Sequence, residues 1–249
     1  MHPYLIHSGH LLIPTFGVLA AVGLMAALTL SLRTAATVGI NPNKLWDAGL
    51  FTLLLAFALS RVLLVLSNFH DFLAYPILLL MVPSLTTGGI LLTILATVIY
   101  LRLRSFPILD TLDAWSPCAT IIWAFLALGH FSEGSDAGLP TALPWATHIP
   151  PDPTRLHPVP LYAAIAAALL TLALIRQLRR RQHPGDTLAF ALTAAGVIQF
   201  LLTFFRQPYP YTNAPYGILD PIQWIAIGMI VTAGLIVLLP RKLVTTNAV

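Results

Sequence analysis

Seven apolar stretches alternate with short polar segments along the chain, and each approaches the length of a membrane-spanning helix. They cover residues 11–32, 46–66, 77–101, 112–130, 159–175, 187–205 and 219–239. About 20 apolar residues in a helix cross the roughly 30 Å hydrocarbon core of a bilayer. The pattern therefore predicts an all-α, polytopic integral membrane protein of about seven transmembrane helices.

Composition agrees with this class, since 57% of the residues are hydrophobic and 9% are charged. Soluble domains carry about 25% charged residues. The first stretch follows His2, His7 and His10 rather than a basic segment, and no cleavage site of small residues follows it, so we interpret it as a retained helix and not a signal peptide. No linker or repeat divides the chain, which predicts a single membrane domain over residues 1–249.

The basic residues predict the orientation in the membrane. Ten of the 13 follow the first, third, fifth or seventh stretch: Arg33, Lys44, Arg102, Arg104, Arg176, Arg179, Arg180, Arg181, Arg241 and Lys242. Lysine and arginine in short loops stay preferentially in the cytoplasm, which predicts an external N-terminus and a cytoplasmic C-terminus. The net charge of +4 is explained by anchoring at anionic lipid, so no nucleic-acid partner is predicted, and the cluster Arg176–Arg181 is interpreted as a topology signal.

Two other arginines lie where the predicted membrane meets the outside, and each has two interpretations. Arg61, near the outer end of the second stretch, either reaches lipid headgroups or clamps a phosphate with its planar guanidinium. Arg206 ends the sixth stretch at an interface that disfavours cations. It either binds a phosphate or forms an ion pair with Asp220 or Asp136.

The fourth stretch ends on His130, and Glu133 follows one helical turn later. A histidine beside a carboxylate can remove a proton from a nucleophile near neutral pH. The alternative is a polar helix end with no catalytic role. The proline-rich segment at about 131–158 is predicted to be an extracytoplasmic loop that folds as a cap. No metal-ligand spacing occurs and Cys118 is the only cysteine, so neither a metal nor another cofactor is predicted.

Further candidate residues open the third and fifth stretches from the same predicted outer side. Gly88 and Gly89 either allow a lipid chain to approach closely or serve helix packing. His157 and Tyr162 flank the start of the fifth stretch. The topology thus gathers residues from five separate segments near the external leaflet, which predicts a site there.

Read in order, these segments resemble the prolipoprotein diacylglyceryl transferase family, from about Ile13 to about Gly234. Six pieces are similar to its motifs: Ser60-Arg61-Val62, Thr87-Gly88-Gly89, Gly129-x-Phe131-x-x-Gly134, Gly138-Leu139-Pro140-Thr141-Ala142-Leu143-Pro144-Trp145-Ala146, His157-Pro158-Val159-Pro160-Leu161-Tyr162 and Phe204-Phe205-Arg206-Gln207-Pro208. The chain departs from the family pattern at polar positions, which here hold Phe16, Thr87, Ala127, His130, Ser135, Gln199 and Thr203.

The resemblance implies transfer of a diacylglyceryl group from phosphatidylglycerol to the lipobox cysteine of a prolipoprotein signal peptide. It places the reaction at the outer face of the bacterial inner membrane, amid membrane lipid. Arg206 would then bind the phosphate, and His130, assisted by Glu133, would act as the base. The remaining matched residues would bind substrate: Arg61, Gly88, Gly89, Gly129, Gly134, His157 and Tyr162.

Two other functions stay open, because the departures fall on polar residues. One is a catalytically silent homologue that binds lipid or a partner protein. The other is a transferase that keeps the lipid donor and uses a different acceptor. A transporter is disfavoured, since the other predicted spans lack charges at mid-membrane positions.

Overall fold

The computed structural model describes residues 4–8, 11–74, 87–136, 138–149, 153–207 and 219–239. A short antiparallel hairpin, β1 (Tyr4–Ser8) and β2 (Leu11–Pro14), leads into the first helix. The helices are α1 (Thr15–Thr37), α2 (Pro42–Ser67), α3 (Phe69–Ala74), α4 (Thr87–Leu103), α5 (Ile108–Glu133), α6 (Val159–Arg180), α7 (Asp186–Thr203) and α8 (Pro221–Leu238).

The predicted class is confirmed, because six helices in the described part of the chain are long and apolar enough to cross a membrane. The protein is therefore a multi-pass membrane protein. Helix α4 is shorter, and the first ten residues of the predicted third span, 77–86, lie outside the described residues. The prediction for residues 11–14 was wrong, since this part of the first apolar stretch pairs as strand β2. Pro14 has an extended backbone and helix α1 begins only after it.

Helix α5 lies at the centre of the bundle, where it packs against α1, α6 and α7. Half of its most apolar window is buried, compared with 6% for α2. The hydroxyls of Thr120 on α5 and Thr171 on α6 lie 2.9 Å apart in the buried interface. Hydrogen bonds of this kind join helices where no water is available to the polar groups. The position of α5 consequently sets the position of the residues at its two ends.

One end of α5 carries a buried cluster of charges. The Arg181 guanidinium, 4% exposed, lies 2.7 Å from an oxygen of Asp110 and 2.8 Å from one of Asp113. Asp113 is fully buried and also accepts the backbone N–H groups of Gly185 and Leu188, each at 2.8 Å. The cluster ties the start of α5 to the connection between α6 and α7. The interpretation of Arg176–Arg181 as a topology signal alone is thus wrong for Arg181.

We expect Arg181→Ala to destabilise the folded protein by about 3–5 kcal/mol, because it leaves the Asp113 carboxylate buried without its counter-charge. The midpoint of thermal unfolding in detergent, followed by intrinsic fluorescence, measures the change. Arg180→Ala is the matched control, since Arg180 is a neighbouring exposed arginine at the end of α6. Equal midpoints for the two variants would contradict the anchoring role.

Candidate active site

At the other end of α5 the helix stops at Glu133, and the chain reverses direction immediately afterwards. Gly134 adopts a left-handed conformation, with φ of 76°, that residues with a side chain rarely adopt. The Gly134 N–H donates to the carbonyl of Phe131 at 3.3 Å, and the Ser135 N–H donates to the carbonyl of His130 at 3.1 Å. Gly134, predicted to bind substrate, therefore has a clear structural role. It brings Ser135 back toward His130.

The imidazole of His130 is held by a hydroxyl and by an aromatic ring. Its Nδ1 lies 2.8 Å from Oγ of Ser135, which also lies 3.3 Å from the His130 carbonyl oxygen. The ring of Phe16 packs beside it, with the two centroids 5.1 Å apart. This packing requires glycine at position 129, because a Cβ there would lie 2.6 Å from the Phe16 ring. Gly129 thus acts through the placement of His130.

The predicted pairing of His130 with Glu133 does not form. Glu133 is exposed, and the described part of the chain contains no hydrogen bond or ion pair between the two side chains. Helical spacing put them one turn apart but did not predict the reversal after Glu133, which brings Ser135 to the ring instead. In the sequence, Ser135 stands out only as a departure from the family pattern.

Three segments meet at Gly138 through backbone hydrogen bonds. Its N–H donates to the His157 carbonyl at 3.2 Å, and the Leu139 N–H donates to the Phe205 carbonyl at 2.8 Å. Gly138 also forms an antiparallel bridge with Arg206. A Cβ on Gly138 would lie 2.6 Å from the His157 Cβ and 2.8 Å from the Phe205 carbonyl oxygen, so only glycine fits. This role was missed, since sequence spacing does not show which distant strands will pair.

Arg206 lies against this junction with one carboxylate nearby. Its Nη2 is 3.7 Å from Oδ2 of Asp136, and its side chain is 18% exposed. No acceptor for its Nε is found among the described residues. Of the two predicted carboxylate partners, the structure favours Asp136. The carboxylate of Asp220 accepts a hydrogen bond from Ile222 N–H at 2.8 Å and caps α8.

An aromatic cluster connects His157 and Tyr162 to the same junction. The Tyr162 hydroxyl lies 3.4 Å from Nδ1 of His157 and accepts the indole N–H of Trp145 at 2.8 Å. The ring of Phe205 lies 5.2 Å from that of His157. Arg155 donates to the carbonyls of Leu143 and Pro144, each at 3.2 Å. These contacts tie the described part of the loop to the start of α6 and to Phe205, and its role as an extracytoplasmic cap stays a prediction.

The three remaining candidates lie on α2 and α4, which pack against each other. The guanidinium carbon of Arg61 is 5.0 Å from the centroid of the Phe57 ring. The Gly89 carbonyl accepts the Thr93 hydroxyl at 2.7 Å, whereas a Cβ on Gly88 would meet open space. None of these contacts reaches His130 or Arg206. Their assignment as binding residues stays a prediction.

Comparison with known proteins identifies the family. A sequence model of prolipoprotein diacylglyceryl transferase matches residues 3–239. A phosphatidylglycerol–prolipoprotein diacylglyceryl transferase of Photobacterium profundum is 27% identical over 249 residues, covering 94% of this chain and 89% of the relative. One of Wolbachia pipientis is 32% identical over 159 residues, or 59% of this chain and 60% of the relative. One of Idiomarina loihiensis is 28% identical over 162 residues, or 64% and 61%.

The matched segment thus spans about three fifths of the length of the Wolbachia and Idiomarina proteins, and nine tenths of the Photobacterium protein. The family match runs through all the helices described above, from before β1 to the end of α8. The chain belongs to the prolipoprotein diacylglyceryl transferase family.

Proposed function

We propose that this protein transfers the diacylglyceryl group of phosphatidylglycerol to the thiol of a lipobox cysteine in a prolipoprotein. Family membership supports the proposal, and so do the names of the relatives, which give this donor and this class of acceptor. The observation that carries it is the state of Arg206, a mostly buried cation next to an apolar surface. Such a group fits a phosphate that arrives from the membrane.

Arg206 supplies the phosphate-binding group of the proposed site. A guanidinium binds phosphate through charge-assisted hydrogen bonds, which are strongest where water is scarce. Its only ion pair in the described chain is the 3.7 Å contact with Asp136, which is too long for a hydrogen bond. The phosphate leaving group gains negative charge as the reaction proceeds, so a fixed cation there stabilises the transition state.

His130 supplies the proposed base. The cysteine sulfur attacks the glyceryl carbon that carries the phosphate, and a carbon–sulfur bond forms as the carbon–oxygen bond to phosphate breaks. Glycerol phosphate leaves with the electron pair of that bond, and the thiol proton passes to the imidazole. An imidazole suits this transfer, because this side chain can accept and release a proton in the physiological pH range. Glu133 is exposed and does not contact the imidazole, so any part it plays in the proton transfer stays a prediction.

Large apolar side chains beside Arg206 provide a surface for lipid chains. Phe204 is 58% exposed, Phe205 is 43% exposed and Trp145 is 58% exposed. Tryptophan concentrates at the interface between headgroups and hydrocarbon, and exposed phenylalanine rings offer apolar area to lipid chains. Acyl chains of the donor would lie along this surface while the phosphate reaches the guanidinium. The basic residues at the opposite end support an inner-membrane location with the site on the extracytoplasmic side.

A transferase with a different acceptor is the second candidate, and two positions that depart from the family pattern support it. Ala127, where the family motif has arginine, is 5% exposed and packs in a cluster with Val159, Ala163, Ala164 and Leu202. No charged side chain would fit there without repacking. Thr203, where the family has glutamate, bonds its hydroxyl back to the Gln199 carbonyl at 2.8 Å. The polar groups around the acceptor thus differ from the family pattern.

Incubation of the purified protein with phosphatidylglycerol and a lipobox peptide tests the first proposal. We expect the peptide to gain the mass of a diacylglyceryl group, and Arg206→Ala to lower the rate by about 10²–10³-fold, the usual cost of losing one donor to developing charge. Mass spectrometry of the peptide measures both. Arg206→Lys keeps the charge without the two-pronged geometry, and we expect it to recover only part of the rate.

Arg179→Ala serves as the control, since Arg179 is exposed at the opposite end of the bundle. Each variant is used only if its thermal midpoint matches that of the unmodified protein. An unmodified peptide, with an intact family enzyme active in parallel, would reject this acceptor. Equal rates for Arg206→Ala and Arg179→Ala would reject Arg206 as the phosphate-binding group.

We expect Gly138→Ala to reduce turnover by about 10²-fold while the helices stay folded, since displacement of reacting groups by about 1 Å costs that much. The added methyl group would separate the end of α7 from the start of α6 and so displace Arg206. Gly228→Ala on α8 is the control, because a Cβ there meets open space. Circular dichroism reports the helices and the peptide assay reports turnover. A fully active Gly138→Ala enzyme would show that the junction does not position the site.

A further inference from the structure

Ser135 makes two polar contacts, and both are hydrogen bonds in only one arrangement of the protons. Oγ lies 2.8 Å from Nδ1 of His130 and 3.3 Å from the His130 carbonyl oxygen. A carbonyl oxygen can only accept, so the hydroxyl proton must point to it for that contact to be a hydrogen bond. Nδ1 must then carry a proton and donate it to Oγ. If the hydroxyl donated to Nδ1 instead, Oγ would face the His130 carbonyl oxygen with no proton between them.

The surrounding backbone supports this arrangement. The His130 carbonyl accepts the Ser135 N–H at 3.1 Å, and its second lone pair is available for the hydroxyl of the same residue. The left-handed Gly134 fixes the position of Ser135, and Phe16 holds the other side of the imidazole. Both the ring and its hydrogen-bond partner are therefore fixed by neighbouring residues, so the two nitrogens of the imidazole have distinct surroundings.

We infer that Ser135 is a positioning residue that holds neutral His130 as the Nδ1–H tautomer and leaves Nε2 as its basic nitrogen. The catalytic consequence rests on the proposed function. The thiol proton would pass to Nε2, and the resulting imidazolium would keep its Nδ1–H bond to the serine oxygen. A tautomer set in advance lets the base accept the proton without any rearrangement. In many proteins a carboxylate or backbone carbonyl accepts the N–H that fixes the tautomer. Here the Ser135 hydroxyl accepts it and in turn donates to a backbone carbonyl.

Nitrogen-15 NMR of the full-length protein, labelled at histidine and placed in phosphatidylglycerol nanodiscs at pH above 8, reads the tautomer directly. The His130 signals are identified by their loss in His130→Gln. We expect Nδ1 at a protonated shift and Nε2 at an unprotonated shift. In Ser135→Ala we expect the signals to move toward the Nε2–H tautomer, and in Ser135→Thr to stay, since threonine keeps the hydroxyl.

Ser132→Ala is the matched control. Its hydroxyl, on the same last turn of α5, donates to the Gly129 carbonyl at 2.7 Å and makes no hydrogen bond to the His130 ring. We expect its tautomer and rate to match those of the unmodified protein. In the peptide assay we expect Ser135→Ala to lower kcat by about 10–100-fold, less than the roughly 10²–10⁴-fold contribution of a general base because the imidazole itself remains, and to leave KM for phosphatidylglycerol unchanged.

A protonated Nε2 in the unmodified protein would overturn the inference, and so would unchanged His130 signals in a folded Ser135→Ala variant. If Ser135→Ala fails to fold, the nitrogen-15 shifts of the unmodified protein and of Ser135→Thr are sufficient to test the tautomer. Absence of diacylglyceryl transfer together with the expected shifts would reject the proposed function and support the assigned tautomer. The two ideas can therefore fail separately.

Discussion

The junction at Gly138 is the constraint on which the rest of this structure depends. Where the chain leaves its helices next to the hydrocarbon region, backbone groups must find partners within the protein, because hydrocarbon offers none. Here the segment after α5 satisfies them between the end of α7 and the start of α6, through His157 and Phe205. The close approach that a missing side chain allows at Gly138 makes this pairing possible. The segment after α5, the start of α6 and the end of α7 thereby meet, and this junction sets the position of Arg206.

The opposite end of α5 is held by a different kind of interaction. There a buried arginine and two carboxylates join the helix to the α6–α7 connection, with Asp113 accepting two further backbone N–H groups. A buried ion pair compensates for its desolvation only when the geometry is good and the remaining hydrogen bonds are made. Both conditions hold here. Helix α5 is consequently fixed at both ends, which gives His130 a defined position relative to the junction.

Hydropathy predicted the helices well because membrane thickness and apolar length are properties of single segments. The sixth span was expected at 187–205 and lies at Asp186–Thr203. The ion pair of Arg206 with Asp136 was among the alternatives considered, since charge alone limited the possible partners. Ser135, Gly138 and Arg181 were missed, because their roles come from contacts between segments distant in sequence or from a chain reversal. The spacing of apolar residues carries no information on such contacts. A loop glycine such as Gly138 has the same sequence pattern whether or not a strand pairs beside it.

The contact of Arg206 with Asp136 bears on how a phosphate could bind. At 3.7 Å the carboxylate is close enough to orient the guanidinium and too far to occupy its donors. Asp136 is 36% exposed, so its charge stays partly hydrated and its attraction for the arginine is weak. A phosphate entering the site therefore replaces little existing interaction energy, while the Nε donor gains an acceptor. Phe204 and Phe205 are exposed next to Arg206 in the chain, which favours a donor whose apolar chains lie against them while its phosphate reaches the guanidinium.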